Sequence, residues 1–180
     1  MRQLVLLLSI FCLVSCQQRN TPSSQSRSVR IDTLFTTAYA KSYGTYYKGL
    51  ERQVMSLDLY SEGLTLHKDT ISGTGVNLYL SDIFLDTDFL EEGDYTVDST
   101  ANSHTALSAM SFEGSVTGTY LLLINDSKLE KMYLFPSGTF RVRYEDDVCH
   151  IAFHLLTGDK QTYDAVFRGQ LSAPVSIRQR

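Results

Sequence analysis

The sequence predicts an all-β domain, an antiparallel β-sandwich of roughly nine to eleven short strands, with a lipocalin-like closed β-barrel as the alternative. Three observations carry this. Apolar and polar residues alternate with period two in segment after segment, the pattern of strands with one buried face. Clusters of Gly, Ser, Thr and Asp punctuate those segments at short intervals. After the first thirty residues no convincing 3.6-residue apolar period runs for ten residues, the nearest being the ambiguous stretch Thr105 to Phe112. At 180 residues, 43% hydrophobic and 20% charged, the chain has room for one domain with its own core, and collagen, disulfide miniproteins and multispan membrane proteins are excluded. A pI near 5.5 argues against a nucleic-acid partner, whose phosphates want a basic stripe.

The first element, residues 1–15, is a secretory signal peptide. Arg2 precedes an apolar run from Leu4 to Val14 that only Ser9 interrupts, and this is shorter than the roughly twenty residues a membrane-spanning helix needs. Leu13-Val14-Ser15-Cys16 resembles the lipobox of bacterial lipoproteins. The resemblance implies cleavage between Ser15 and Cys16, a diacylglycerol on the Cys16 thiol, and a fatty acid such as palmitate on the new amino terminus. A buried methylene contributes about 0.8 kcal/mol, so two or three chains make a durable anchor to the lipid bilayer.

Residues 16–30 comprise Cys16 and a polar, flexible tether carrying Arg19, Arg27 and Arg30. The body, residues 31–173, holds ten Lys and Arg against twenty Asp and Glu, and residues 174–180 form a short basic tail with Arg178 and Arg180. This split favours a body held off anionic headgroups by a tether that lies near them, with about 1 kcal/mol from each basic residue at the surface. Cys12 leaves with the signal peptide and Cys16 is modified, which leaves Cys149 alone and the mature chain without an internal disulfide.

Within the body, Met55, Leu57 and Leu59 alternate with Ser56, Asp58 and Tyr60, and Ser61-Glu62-Gly63 turns into Leu64-Thr65-Leu66, which reads as a hairpin. Strands follow at Val76 to Leu80 and Tyr95 to Val97, with a more continuous run from Val116 to Ile124. The best-defined meander comes last: Phe140, Val142 and Tyr144, the Glu145-Asp146-Asp147 turn, the strand around Cys149, then Tyr163, Ala165 and Phe167. Cys149 shares the parity of Ile151, Phe153 and Leu155 and so points inward as an inert thiol. A glycine stands two residues before an aromatic at Gly44, Gly93, Gly118 and Gly138, which marks strand starts with the ring as first inward anchor.

On the Gly-Asp-Tyr-Thr start at Gly93, the Ser-Gly-Thr-Phe start at Ser137 and the closing Phe167-Arg168-Gly169-Gln170-Leu171, the body resembles the small all-β lipoproteins of anaerobic Gram-negative bacteria, a group without an assigned activity. The resemblance implies an outer-membrane envelope location. Surface display in that group goes with acidic residues after the lipidated Cys, and Gln17-Gln18-Arg19-Asn20 has none, which favours the periplasmic face.

Motifs for catalysis are missing from the sequence: there is no G-x-S-x-G, H-E-x-x-H, P-loop or C-x-x-C. No cofactor is indicated. His150 and His154 share the outward face of one strand, about 13 Å apart at roughly 3.3 Å per residue, too far to share a metal, and read as surface histidines. Asp86, Asp88, Glu91, Glu92 and Asp94 form an acidic cluster with the oxygen chemistry of a calcium site but not the spacing of an EF-hand loop. Tyr39, Tyr43, Tyr46 and Tyr47 could stack on a sugar in a chain that has no Trp, although strand preference favours them as core anchors. The expected function is a noncatalytic envelope lipoprotein that binds a protein or a glycan; the alternatives are a barrel carrying a small apolar ligand and, third, a hydrolase.

Overall fold

The computed structural model describes residues 33–171 and the backbone of residues 175–176. The segments expected to be a signal peptide (1–15) and a tether (16–30), Cys16 included, lie outside the described residues. Every regular element described is a strand, and there are fifteen of them rather than nine to eleven. They are β1 (Thr33–Gly44), β2 (Gln53–Ser61), β3 (Leu64–His67), β4 (Thr70–Gly73), β5 (Gly75–Leu85), β6 (Gly93–Asp98), β7 (Thr105–Leu107) and β8 (Met110–Phe112). Then come β9 (Ser115–Thr117), β10 (Tyr120–Asn125), β11 (Lys128–Leu134), β12 (Ser137–Glu145), β13 (Val148–Leu156), β14 (Thr162–Gly169) and β15 (Val175–Ser176).

Eight strands close a ring in the order β1, β2, β5, β7, β6, β12, β13, β14, with β14 returning to β1. The fold is therefore the closed barrel, not the sandwich. Closure depends on the length of β5, which pairs with β2 on one edge and on its other edge with β10 first, through Gly75 to Tyr79, and then with β7 through Ile83 and Phe84. β10 and β11 thus leave the ring as a flap. The expectation of purely antiparallel pairing is corrected as well: β1 runs parallel to β14, and β6 parallel to β7. Alternation tells which face is buried but carries nothing about partner direction. The connection from β6 back to β7 is held by local bonds, the Thr100 amide donating to Asp98 Oδ1 at 2.7 Å and the Thr105 hydroxyl to the Asn102 carbonyl at 2.7 Å.

Three local expectations also change. β3 pairs with β4, not with β2, so the predicted hairpin at Ser61-Glu62-Gly63 is a corner instead. The run Val116 to Ile124 breaks at Gly118 into β9 and β10. Val175–Ser176, inside the segment read as a tail, forms β15 against Lys41 and Ser42 of β1. The β12–β13–β14 meander forms as predicted, with Phe140, Phe153 and Ala165 in register across it.

Inward side chains make one packed cluster. Phe35, Leu57, Leu80, Tyr95, Phe140, Ile151, Phe153 and Phe167 belong to it, all essentially buried. Tyr95 and Phe140 stack at 4.6 Å and 12°, and Phe140 meets Phe153 at 5.7 Å. Aromatic contacts of this kind contribute about 0.5–1.5 kcal/mol each beyond the area they bury. Cys149 lies fully buried in the same cluster, and burial pushes its thiol up to about 11, as an inert core cysteine requires. A second, smaller cluster of Tyr60, Leu64 and Ile124 lies elsewhere, packed against Leu66 and Ile71 of the β3–β4 hairpin.

Candidate functional site

Along β1, Ala38 and Ala40 are buried in the barrel core, and the alternate residues Tyr39, Lys41 and Tyr43 take the outer face. Register then places Tyr39 opposite Asp58, Asp58 opposite Tyr79, and Tyr79 opposite Tyr120. With Tyr60, and with Tyr46 and Tyr47 on the β1–β2 loop, seven of the eleven tyrosines gather on one outer flank. Tyr39 and Tyr47 are each 38% exposed and Tyr46 is 48% exposed. The expectation that Tyr39, Tyr43, Tyr46 and Tyr47 anchor the core is thereby corrected; β1 sends Phe35, Ala38 and Ala40 into the core and its tyrosines outside.

Asp58 sits in this flank. The Tyr60 hydroxyl donates to its Oδ2 at 2.7 Å and the Asn77 amide to its Oδ1 at 2.5 Å. Burial raises the Asp58 carboxyl above its ordinary 3.8, and the two bonds only partly offset that. The folded state holds the Asp58 proton more tightly than the unfolded chain, so this group's contribution is greatest below the ordinary aspartate range and is lost as pH rises through the folded-state value. Measured by urea unfolding against Asp58→Asn, wild type is expected to gain relative stability as pH falls from 7 towards about 4. Carboxyls elsewhere cancel in that difference. A relative loss over the same range contradicts the assignment.

At the other end of the flank is a cleft of about 450 Å³. Three stretches of chain line it: Tyr43, Tyr46 and Tyr47 from β1 and its loop, Tyr79, Ser81 and Asp82 from β5, and Leu107, Met110 and Thr117 from the β7–β9 region. The β5 contribution arises from a bulge. Met55 pairs with Ile83 but Leu57 pairs with Leu80, so β5 carries one extra residue here, and Asp82 takes a left-handed φ of 46°. The Tyr47 hydroxyl donates to Asp82 Oδ2. Burial and this bond raise the Tyr47 phenol well above its ordinary value, which keeps it a donor across the physiological range. Compared with known families, curated proteins and solved structures, the chain matches none. The cleft is accordingly read from its own geometry.

A larger groove of about 710 Å³ lies over β1, β13 and β14, with Leu34, Ala152 and Val166 in its lining. His154 Nδ1 stands 2.7 Å from Asp164 Oδ1 there, a pairing that resembles the base and its orienting carboxylate in a catalytic triad. No hydroxyl bonds to the His154 ring among the described residues, so a nucleophile to complete it is missing from this pairing. His150 and His154 are both on the outer side of β13, His150 half-buried with its Nε2 3.6 Å from Glu145.

The acidic cluster is not brought together. Asp86 pairs with Arg52 and accepts from the Ser103 hydroxyl at 2.6 Å. Asp94 is clasped by Arg141, which holds its carboxyl below the usual range. Glu92 accepts the Tyr144 amide at 2.6 Å, while Asp88 is exposed and Glu91 half-buried. Among the described residues no three carboxylate, His or Cys side chains converge as metal ligands, and the chain between Asp86 and Asp94 spends its charge on separate arginine and backbone partners. The signal for the tyrosine flank was present in the sequence: Lys41 shares the parity of Tyr39 and Tyr43, which sets that face towards water.

Proposed function

We propose that this protein is a lipid-anchored, noncatalytic binding module of the bacterial cell envelope, held to the outer membrane through Cys16 and binding its partner on the outside of the barrel. The observation that carries the binding half is the tyrosine cleft, a concave site with aromatic and polar lining above a barrel whose interior is occupied by its own core. The ring closure would suit a carrier of a small apolar ligand, but Phe35, Phe140, Phe153 and Phe167 take the space such a ligand would need. The anchoring half is supported by Leu13-Val14-Ser15-Cys16 behind the apolar run. The absence of acidic residues in Gln17-Gln18-Arg19-Asn20 favours the periplasmic face.

Replacing Cys16 by Ala tests the anchor. With residues 1–15 exchanged for a signal peptide that is cleaved independently of lipidation, cell fractionation is expected to move the variant from the membrane pellet to the soluble fraction. Continued sedimentation of Cys16→Ala with membranes through a carbonate wash contradicts lipidation at this residue.

A further inference from the structure

We propose that the tyrosine cleft is a saccharide site, taking a neutral, hydroxyl-rich sugar against Tyr46 with its hydroxyls directed to Asp82. This deepens the binding reading above and rests on it. Tyr46 is the most exposed ring of the site, 48% against 38% for Tyr47, and its orientation is fixed from both sides: Tyr43 meets it at 6.0 Å and 71°, and Tyr47 at 5.0 Å and 85°. A ring held this way loses little further freedom when a ligand lands on it. A pyranose presents an apolar C–H face rimmed by hydroxyls, which suits an open aromatic surface beside polar groups.

The polar partner is a charged acceptor. Tyr47 occupies Asp82 Oδ2, and we assign Oδ1 to a ligand hydroxyl, a charge-assisted bond and so stronger than a neutral one. The backbone supports this. The β5 bulge turns an aspartate with φ of 46° into the lining, and strained residues and bulges of this kind collect at functional sites. Ser81 and Thr117 add hydroxyls that both donate and accept, matching a ligand that does the same.

Charge narrows the class. No Lys or Arg lines the cleft and its one carboxylate is acidic, so phosphorylated, sulfated and uronic ligands meet repulsion without compensation. A quaternary ammonium needs several ring faces around one point, each within about 6 Å of the cation. Here Tyr46 and its two neighbours touch edge to face, which closes the space a cation would take. The volume of about 450 Å³ lies in the range of small-ligand sites, about 300–1,000 Å³.

The test uses the full-length protein in a zwitterionic detergent, since alkyl-glycoside detergents carry sugar headgroups. It is applied to a printed array of neutral, sialylated and sulfated oligosaccharides, and the strongest neutral oligosaccharide is then titrated by calorimetry. Neutral glycans are expected to be retained, with binding unchanged by added salt. Tyr46→Ala is expected to weaken binding about tenfold. Asp82→Asn, in which asparagine tolerates the left-handed backbone, is expected to weaken it about tenfold or more. Far-ultraviolet circular dichroism identical to wild type shows that both variants fold. Retention of no neutral glycan by the folded protein, preference for the acidic ones, displacement by choline chloride, or binding by both variants as tight as that of wild type overturns the proposal. Release of new reducing ends from a bound oligosaccharide overturns the noncatalytic reading instead and leaves the sugar site standing, so the two failures are separable.

Discussion

Gly118→Ala is expected to destabilise the protein by about 3 kcal/mol or more, the sum of a left-handed backbone penalty and a collision with main chain. Gly118 has φ of 85°, and a Cβ there would lie 2.1 Å from the Ser108 carbonyl oxygen and 2.5 Å from its carbon. Neither neighbour is the flexible end of a side chain. The position also ties the β9–β10 connection to β5, β7 and the β11–β12 connection: the Ser81 amide donates to the Gly118 carbonyl, the Thr119 hydroxyl donates to the Leu107 carbonyl at 2.9 Å, and the Phe135 amide donates to the Thr119 carbonyl at 3.1 Å. Moving it shifts Leu107, Ser81 and Thr117 together, which line the tyrosine cleft. Gly114→Ala is the control, with φ of 80° and nothing within 4 Å of the added carbon, so only the backbone penalty of about 1 kcal/mol applies. Urea unfolding of the pair measures the collision by difference. Equal losses in the two variants contradict the close approach at Ser108.

The second large effect is expected at Phe140. Its ring is buried between Tyr95 and Phe153 at the centre of the barrel, and Phe140→Ala should cost about 3–5 kcal/mol, the lost transfer energy plus the cavity left behind. Thermal unfolding then shifts down by about 10 °C. Phe140→Leu, which keeps most of the volume, should cost about 1.5 kcal/mol or less. A small effect of Phe140→Ala, close to that of Phe140→Leu, contradicts a tightly packed interior.

How much of this was legible in the sequence differs by feature. The strands of the β12–β13–β14 meander and the burial of Cys149 follow from period-two alternation, because one buried face imposes that pattern directly. Of the four glycine-aromatic pairs, Gly93 and Gly138 lead to the fully buried Tyr95 and Phe140. Gly44 instead ends β1, and Tyr46 after it is exposed. A turn residue marks a change of direction, not which side of the sheet the next ring takes. Ring closure was not legible, since it depends on β5 pairing with β10 along one part of an edge and with β7 along the next. The cleft was half legible. Tyr39, Lys41 and Tyr43 share a parity that sets them outward, but Asp82 enters the site through a bulge, one extra residue that no alternation count reveals.

The barrel is filled inside, and its proposed binding surface lies outside. Crystals of the wild-type protein pressurised with xenon test this most directly, because xenon occupies dry apolar cavities and its position shows on which side of the ring they lie. The expected result is no xenon within the ring in wild type, and a xenon atom at the vacated ring position between Tyr95 and Phe153 in Phe140→Ala. Xenon at the centre of the wild-type barrel would contradict the account and restore the carrier reading.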